Sequence, residues 1–132
     1  MTASPQVAAA PNPFAGLAPQ QLFSLQDQVV LITGAAGGIG GALARGFAAA
    51  GAKLVVCDLH PRIHELAAQW RESGMDVNSL AFDVTNENEI AQAFAQVIER
   101  HGRLDVLINN AGVIVRTPFL QLKRDEWQKV ID

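Results

Sequence analysis

The sequence contains no tyrosine, so no chemistry resting on a phenol is encoded within it. It has one cysteine, Cys57, which excludes an intramolecular disulfide and sits in the apolar run Leu54-Val55-Val56-Cys57, where a small buried hydrophobe is expected. The lack of disulfides fits a reducing, cytoplasmic setting. No apolar run reaches the roughly 18 to 20 residues that a membrane-crossing helix needs, so no membrane partner is expected. The 10 Lys and Arg are scattered with no basic run and the net charge is only -3, which leaves no electrostatic footprint for nucleic acid. Residues 1–24 carry no Lys or Arg and are interrupted by Pro5, Pro11, Pro13 and Pro19, so they match neither a secretory signal nor a basic transit peptide. They read as a flexible Ala/Pro-rich arm. Docking of Phe14 and Leu17, or of Leu22 and Phe23, on a neighbouring subunit is the alternative.

What is present is enough apolar material for one core: 49% hydrophobic residues in 132. From Asp27 the chain alternates short β-branched runs with longer stretches whose apolar positions recur every three or four residues, a βαβαβαβ pattern. The strands are expected at Val29–Thr33, Lys53–Asp58, about Asn78–Phe82 and Leu104–Asn109. The first helix is expected over Gly38–Ala50, placing Ile39, Leu43, Phe47 and Ala50 on one face and ending at Gly51 in a left-handed cap. The second is expected over Arg62–Ser73 behind Pro61, ending at Gly74. The third is expected behind Thr85 as N-cap and closes at His101-Gly102. Strands one, two and four are apolar on both faces, as strands between two helical layers must be. The fold class is therefore α/β, a Rossmann-type doubly wound parallel sheet of order 3-2-1-4, with residues 25–132 as one dinucleotide-binding domain. A ligand crevice is expected where the winding reverses between strands one and four.

Both chemistry-bearing turns begin at that crevice. Thr33-Gly34-Ala35-Ala36-Gly37-Gly38-Ile39-Gly40 leads from a strand into a helix, so its amides face outward at the positive end of a helix dipole, where a pyrophosphate belongs. Glycine permits a sharp turn at 34, leaves room for phosphates at 38 and lets helix and strand pack closely at 40. Asp58 closes strand two, 18 residues beyond Gly40, where a carboxylate accepts hydrogen bonds from adenosine ribose hydroxyls. The same charge opposes the 2′-phosphate of NADP. No Lys or Arg stands in the turn, Leu59 follows Asp58, and Arg62 falls at a helix start, so NAD is the expected cofactor. Asp83-Val84 and Asn109-Asn110-Ala111-Gly112 end strands three and four at the same sheet edge. Read by themselves they are an Asx turn and a polar strand exit.

Taken together in this order, Thr-Gly-x-x-x-Gly-x-Gly, the strand-two aspartate, Asp-Val and Asn-Asn-Ala-Gly resemble the short-chain dehydrogenase/reductase family across about Gln26 to Asp132. The resemblance implies that Thr33, Gly34, Gly38, Ile39 and Gly40 hold the pyrophosphate, Ile39 through its amide. It implies that Asp58 takes the ribose, Asp83 the adenine amino group and Val84 the adenine ring, while Asn110, Ala111 and Gly112 border the nicotinamide-side ribose. Asn109 to Leu120, with Asp125-Glu126-Trp127, is similar to family members acting on gluconate-type sugar acids and polyols, and is also compatible with 3-oxoacyl reductases. Arg116 is a candidate contact for a substrate carboxylate.

Family enzymes move the substrate proton with a Tyr and a Lys four residues apart and an upstream Ser. Here there is no Tyr, and Ser4, Ser24, Ser73 and Ser79 lie in the arm or between helix two and strand three. No catalytic residue is assigned. His60 and His64 straddle Pro61 without a third ligand, so no metal is expected, and His101 reads as a helix-end residue favoured by the dipole. The expectation is an amino-terminal portion of an NAD-dependent oxidoreductase acting on a small-molecule alcohol or ketone, homo-oligomeric when complete and inactive as this chain. Its fourth strand would be an open edge, with poor solubility and marginal stability. A non-catalytic nucleotide-binding or partner-binding module is the alternative.

Overall fold

A computed structural model describes residues 19–131. A single helical turn, α1 (Pro19–Leu22), precedes β1 (Val29–Thr33), α2 (Gly38–Ala49), β2 (Lys53–Asp58), α3 (Ile63–Glu72), β3 (Val77–Ala81), α4 (Glu87–His101) and β4 (Val106–Ile108). A 3₁₀ turn at Phe119–Gln121 and α5 (Arg124–Ile131) follow. The strands pair in parallel in the order β3-β2-β1-β4, the doubly wound arrangement that the alternation predicts. Phe14 and Leu17, with most of the expected arm, lie outside the described residues. Leu22 and Phe23 are exposed.

Alternate residues of β1 and β2 feed two cores. Val30, Ile32, Leu54 and Val56 pack with Ala44 of α2 and with Ile63 and Ala67 of α3 on one face. Val29, Leu31, Val55 and Cys57 pack with Phe82 and with Ala93 and Val97 of α4 on the other. Burial on both sides explains the unbroken apolar runs, and each fully buried Val, Leu or Ile contributes about 1.5–3 kcal/mol. Gly51, Gly74 and Gly102 follow α2, α3 and α4 with positive φ, closing each helix before the next strand.

Five expectations shift. The apolar stripe of α2 only borders the core: Gly40, Gly41 and Ala44 are fully buried, Leu43 and Phe47 are half-buried against it, and Ile39 is 74% exposed. Leu43, Phe47 and Ala50 also line an open groove with Leu25. Small residues go inward because the helix lies close to the strands. β3 is Val77–Ala81, one residue earlier at each end than expected, and Ser79 lies within it and not between helix two and the strand. The N-cap of α4 is Asn86, whose side chain accepts from the amides of Asn88 and Glu89, and not Thr85, which is engaged by Asp83. β4 is shorter than predicted because side chains replace the ladder at both ends. Asp105 Oδ2 accepts the Val29 amide at 2.8 Å, and the Thr33 hydroxyl accepts the Asn110 amide at 3.1 Å. Among the described residues nothing pairs with the outer edge of β4, and Leu107 is 41% exposed, so β4 is not buried on both faces as its sequence suggests.

Candidate cofactor site

The carboxyl ends of all four strands converge on one edge of the sheet, and the turn after β1 is its centre. Gly34 has φ +66, and a Cβ there would lie 2.8 Å from the Ala111 Cα, so both backbone conformation and close approach demand glycine. Gly40 is packed as tightly, since its Cβ would meet Gly34 O, and would lie 2.8 Å from both Ala35 Cα and Asn110 Nδ2. Gly38 is the opposite case: nothing lies within 4 Å of where its Cβ would stand. The first backbone bond of α2 runs from the Gly41 amide to Gly37 O at 2.9 Å. The amides of Gly38, Ile39 and Gly40 therefore precede it, at the positive end of a 12-residue helix and beside that open volume. This is a cradle that fits a phosphate oxygen.

Asp58, at the end of β2, reaches the turn itself. Its Oδ2 accepts the Ala36 amide at 2.9 Å and its Oδ1 accepts the His60 amide at 3.0 Å. One residue back, the Ala35 amide donates to Cys57 O at 3.0 Å. A carboxylate oxygen has about two acceptor positions, so each oxygen of Asp58 retains one.

From the other side the turn is held by the exit of β4. Thr33 is only 6% exposed, and its hydroxyl accepts the amides of Asn110 and Ala111, at 3.1 and 3.0 Å, while donating to Ile108 O at 3.4 Å. Asn110 Nδ2 donates to Thr33 O at 2.9 Å and to Gly34 O at 3.2 Å. These two side chains are spent on fastening β1 to β4. Gly112 is exposed, with open space at its Cβ position.

After β3, Asp83 forms the Asx turn that its sequence suggests: Oδ1 accepts the Thr85 amide at 2.9 Å and the Thr85 hydroxyl at 2.8 Å. Those bonds, the amide first, hold its carboxyl below the ordinary aspartate range. The Asp83 amide donates to Glu89 Oε2 at 2.8 Å, and the next residue, Val84, is exposed. Nothing in the sequence motif announced the Ala36–Asp58 bond. The Asn86-x-x-Glu89 pattern did carry a readable capping signal.

The remaining candidates fall elsewhere. His60 Nδ1 accepts the Arg62 amide at 3.1 Å, and His64 Nδ1 lies 3.0 Å from Ser79 Oγ, so the two imidazoles serve separate local bonds. Among the described residues no group of three or more His, Cys, Asp or Glu is placed to hold a metal. His101 does end α4, where burial first and the Arg100 charge second push its pKa below the ordinary value. Cys57 is buried and its thiol is pushed up to about 12 by desolvation and then by Asp58. Arg116 is exposed on the irregular stretch before the 3₁₀ turn, and Ser73 Oγ donates to Gln69 O. No described helix is long and apolar enough to cross a membrane.

The 5-keto-D-gluconate 5-reductase of Escherichia coli K12 is 39% identical over 111 residues, 83% of this chain and 44% of the relative. The 2-dehydro-3-deoxy-D-gluconate 5-dehydrogenase of Formosa agariphila is 34% identical over 84% of the chain and 43% of its own length. The crystal structure of a gluconate 5-dehydrogenase from Burkholderia cenocepacia, in complex with NADP and tartrate, superposes with a TM-score of 0.76 at 35% identity, covering 83% of this chain and 43% of that one. The chain thus spans about two-fifths of the length of these relatives. Nicotinamide cofactors are the family's common currency. Residues 28–132 match the profile of the short chain dehydrogenases, and with the glycine turn, Asp58 and the Asn110 clasp in one parallel sheet, the chain belongs to the short-chain dehydrogenase family.

Proposed function

We propose that this chain is the NAD-binding portion of an oxidoreductase that interconverts a secondary alcohol and a ketone, with sugar acids or polyols as the substrate class. The observation that carries the cofactor reading is Asp58: one free acceptor position on each carboxylate oxygen, beside the glycine turn, matches the two hydroxyls of an adenosine ribose. A 2′-phosphate has no hydroxyl to donate there and brings charge of the same sign. At about 4 Å and an effective dielectric near 20, two unit charges repel by ~4 kcal/mol, and ~1.4 kcal/mol already means tenfold discrimination. The NADP-bound relative favours the opposite choice; the placement of the Asp58 carboxylate supports NAD.

In this reading the amides of Gly38, Ile39 and Gly40 receive the pyrophosphate, and the turn shaped by Thr33 and Gly34 presents them. Asp83 Oδ2, which accepts none of the described bonds, takes the adenine amino group beside Val84. Asn110, Ala111 and Gly112 border the nicotinamide-side ribose. Bound there, the nicotinamide supplies or accepts the hydride. Residues 25–132 act as one dinucleotide-binding domain behind an arm of residues 1–24, and the complete enzyme works as a cytoplasmic homo-oligomer on a small-molecule alcohol or ketone. The gluconate-type substrates named for the relatives support the sugar-acid class. With no tyrosine, the chain by itself binds NAD without turnover. Calorimetric titration of the purified chain with NAD tests this: saturable one-to-one heat is expected, and no heat at millimolar NAD overturns it.

A further inference from the structure

We infer that Asp58 is a positioning residue for the phosphate turn as well as an acceptor for the ribose, so that the two ends of the nucleotide site are coupled through one side chain. The inference rests on the proposed nucleotide site and goes beyond it. The turn between Gly34 and Gly38 has no side chain long enough to hold itself, consisting only of glycine and alanine. Its β4 side is fastened by Asn110 Nδ2 to Thr33 O and Gly34 O. Its β2 side is fastened by two amides, Ala35 to Cys57 O and Ala36 to Asp58 Oδ2. Of these four fastenings only the last involves a charged acceptor, and it stands closest to the amides that start α2. The second oxygen is anchored by the His60 amide, which fixes the carboxylate plane. A ligand hydroxyl that binds this plane meets an acceptor already aligned by the turn, and the turn is in turn held in the shape that exposes the amides of Gly38 and Ile39.

One consequence separates this from a ribose-only role. If Asp58 served the ribose alone, removing it would help any diphosphate that lacks ribose hydroxyls, because a negative charge near the phosphates disappears. If it braces the turn, the same removal weakens that ligand. The experiment compares wild type, Asp58→Ala and Asp58→Asn for binding of ADP and of 2′,3′-dideoxy-ADP, and measures hydrogen exchange of the Ala36 amide in the unliganded protein. The Asn variant keeps the side-chain volume with one acceptor oxygen in place of two, and guards against a folding defect in the Ala variant.

The brace predicts that 2′,3′-dideoxy-ADP binds Asp58→Ala roughly tenfold more weakly than wild type, the factor associated with a lost charge-assisted hydrogen bond. It also predicts that the Ala36 amide exchanges at least about tenfold faster, with Asp58→Asn between the two. Unchanged or tighter binding of the dideoxy ligand together with unchanged Ala36 exchange overturns the inference. Should wild type bind neither ADP nor its dideoxy analogue, the proposed cofactor role fails, and the Ala36 exchange rates alone then decide the brace: faster in Asp58→Ala supports it and equal rates refute it.

Discussion

Gly38→Ala and Gly40→Ala place the same methyl group two residues apart in the same helix start, and the structure predicts opposite outcomes. At Gly38 the new Cβ meets nothing within 4 Å, and alanine is the better helix former by up to about 1 kcal/mol, so the melting temperature is unchanged or slightly raised. At Gly40 the Cβ lies 2.8 Å from Ala35 Cα and from Asn110 Nδ2 and collides with Gly34 O. Backbone atoms on two sides cannot yield, and overpacking of this kind costs about 1–3 kcal/mol. At roughly 4 °C per kcal/mol, that is a drop of several degrees. Binding separates the two further. In the proposed site the open volume above Gly38 receives phosphate oxygens at the first amides of α2, so filling it is expected to cost at least one charge-assisted hydrogen bond, about 1.5–3 kcal/mol, or ten- to hundredfold in NAD affinity. Adenosine, which has no phosphate, binds Gly38→Ala as it binds wild type. Thermal melts and calorimetric titrations of both variants with NAD and adenosine check the set. Undiminished NAD binding by Gly38→Ala would refute the assignment of that volume to phosphate.

Other consequences can be measured on the same protein. The Cys57 thiol, buried and pushed up to about 12, is predicted to resist thiol-specific reagents in the native state and to react on unfolding; native-state labelling at neutral pH contradicts its placement. His101 has a folded pKa below its ordinary value, so the folded state binds fewer protons than the unfolded one; its contribution is complete above the unfolded value and is lost as pH falls from there through the lower folded value. Thermal melts between about pH 5 and pH 8 should therefore show His101→Gln losing less stability on acidification than wild type, and parallel curves refute this. Asp105 is the reverse case: the Arg103 guanidinium and then the Val29 amide hold its carboxyl below 3.8, so its contribution is present above that value and disappears as pH drops further. Stability curves of wild type and Asp105→Ala should converge in acid. Leu107→Lys, on the open edge of β4, is expected to reduce self-association in light scattering with little change in melting temperature, because the side chain is already 41% exposed.

The sheet was legible because burial on two faces leaves its mark in composition: Val29 to Ile32 and Leu54 to Cys57 carry no polar residue, and crossover-length helices between such strands admit few topologies. The glycine turn and the Asx turn at Asp83 were legible because each depends on local backbone geometry. The core face of α2 was not, since apolar periodicity marks Ile39, Leu43 and Phe47 while close helix-to-strand packing selects Gly40, Gly41 and Ala44. The ends of β4 were hidden for a different reason. Asp105 and Thr33 take over ladder positions with side-chain atoms, through contacts 75 or more residues apart in sequence. The bond from the Ala36 amide to Asp58 is likewise a product of tertiary placement, although both residues belong to motifs that sequence alone could name.

In the proposed cofactor role, the carboxylate of Asp58, set against the phosphate turn, selects NAD over NADP. The dissociation constants of wild type for the two cofactors, measured at low and at high salt, test it most directly. NAD is expected to bind at least about tenfold more tightly, with the gap narrowing as salt screens the repulsion. Equal affinities, or tighter binding of NADP at low salt, would contradict it.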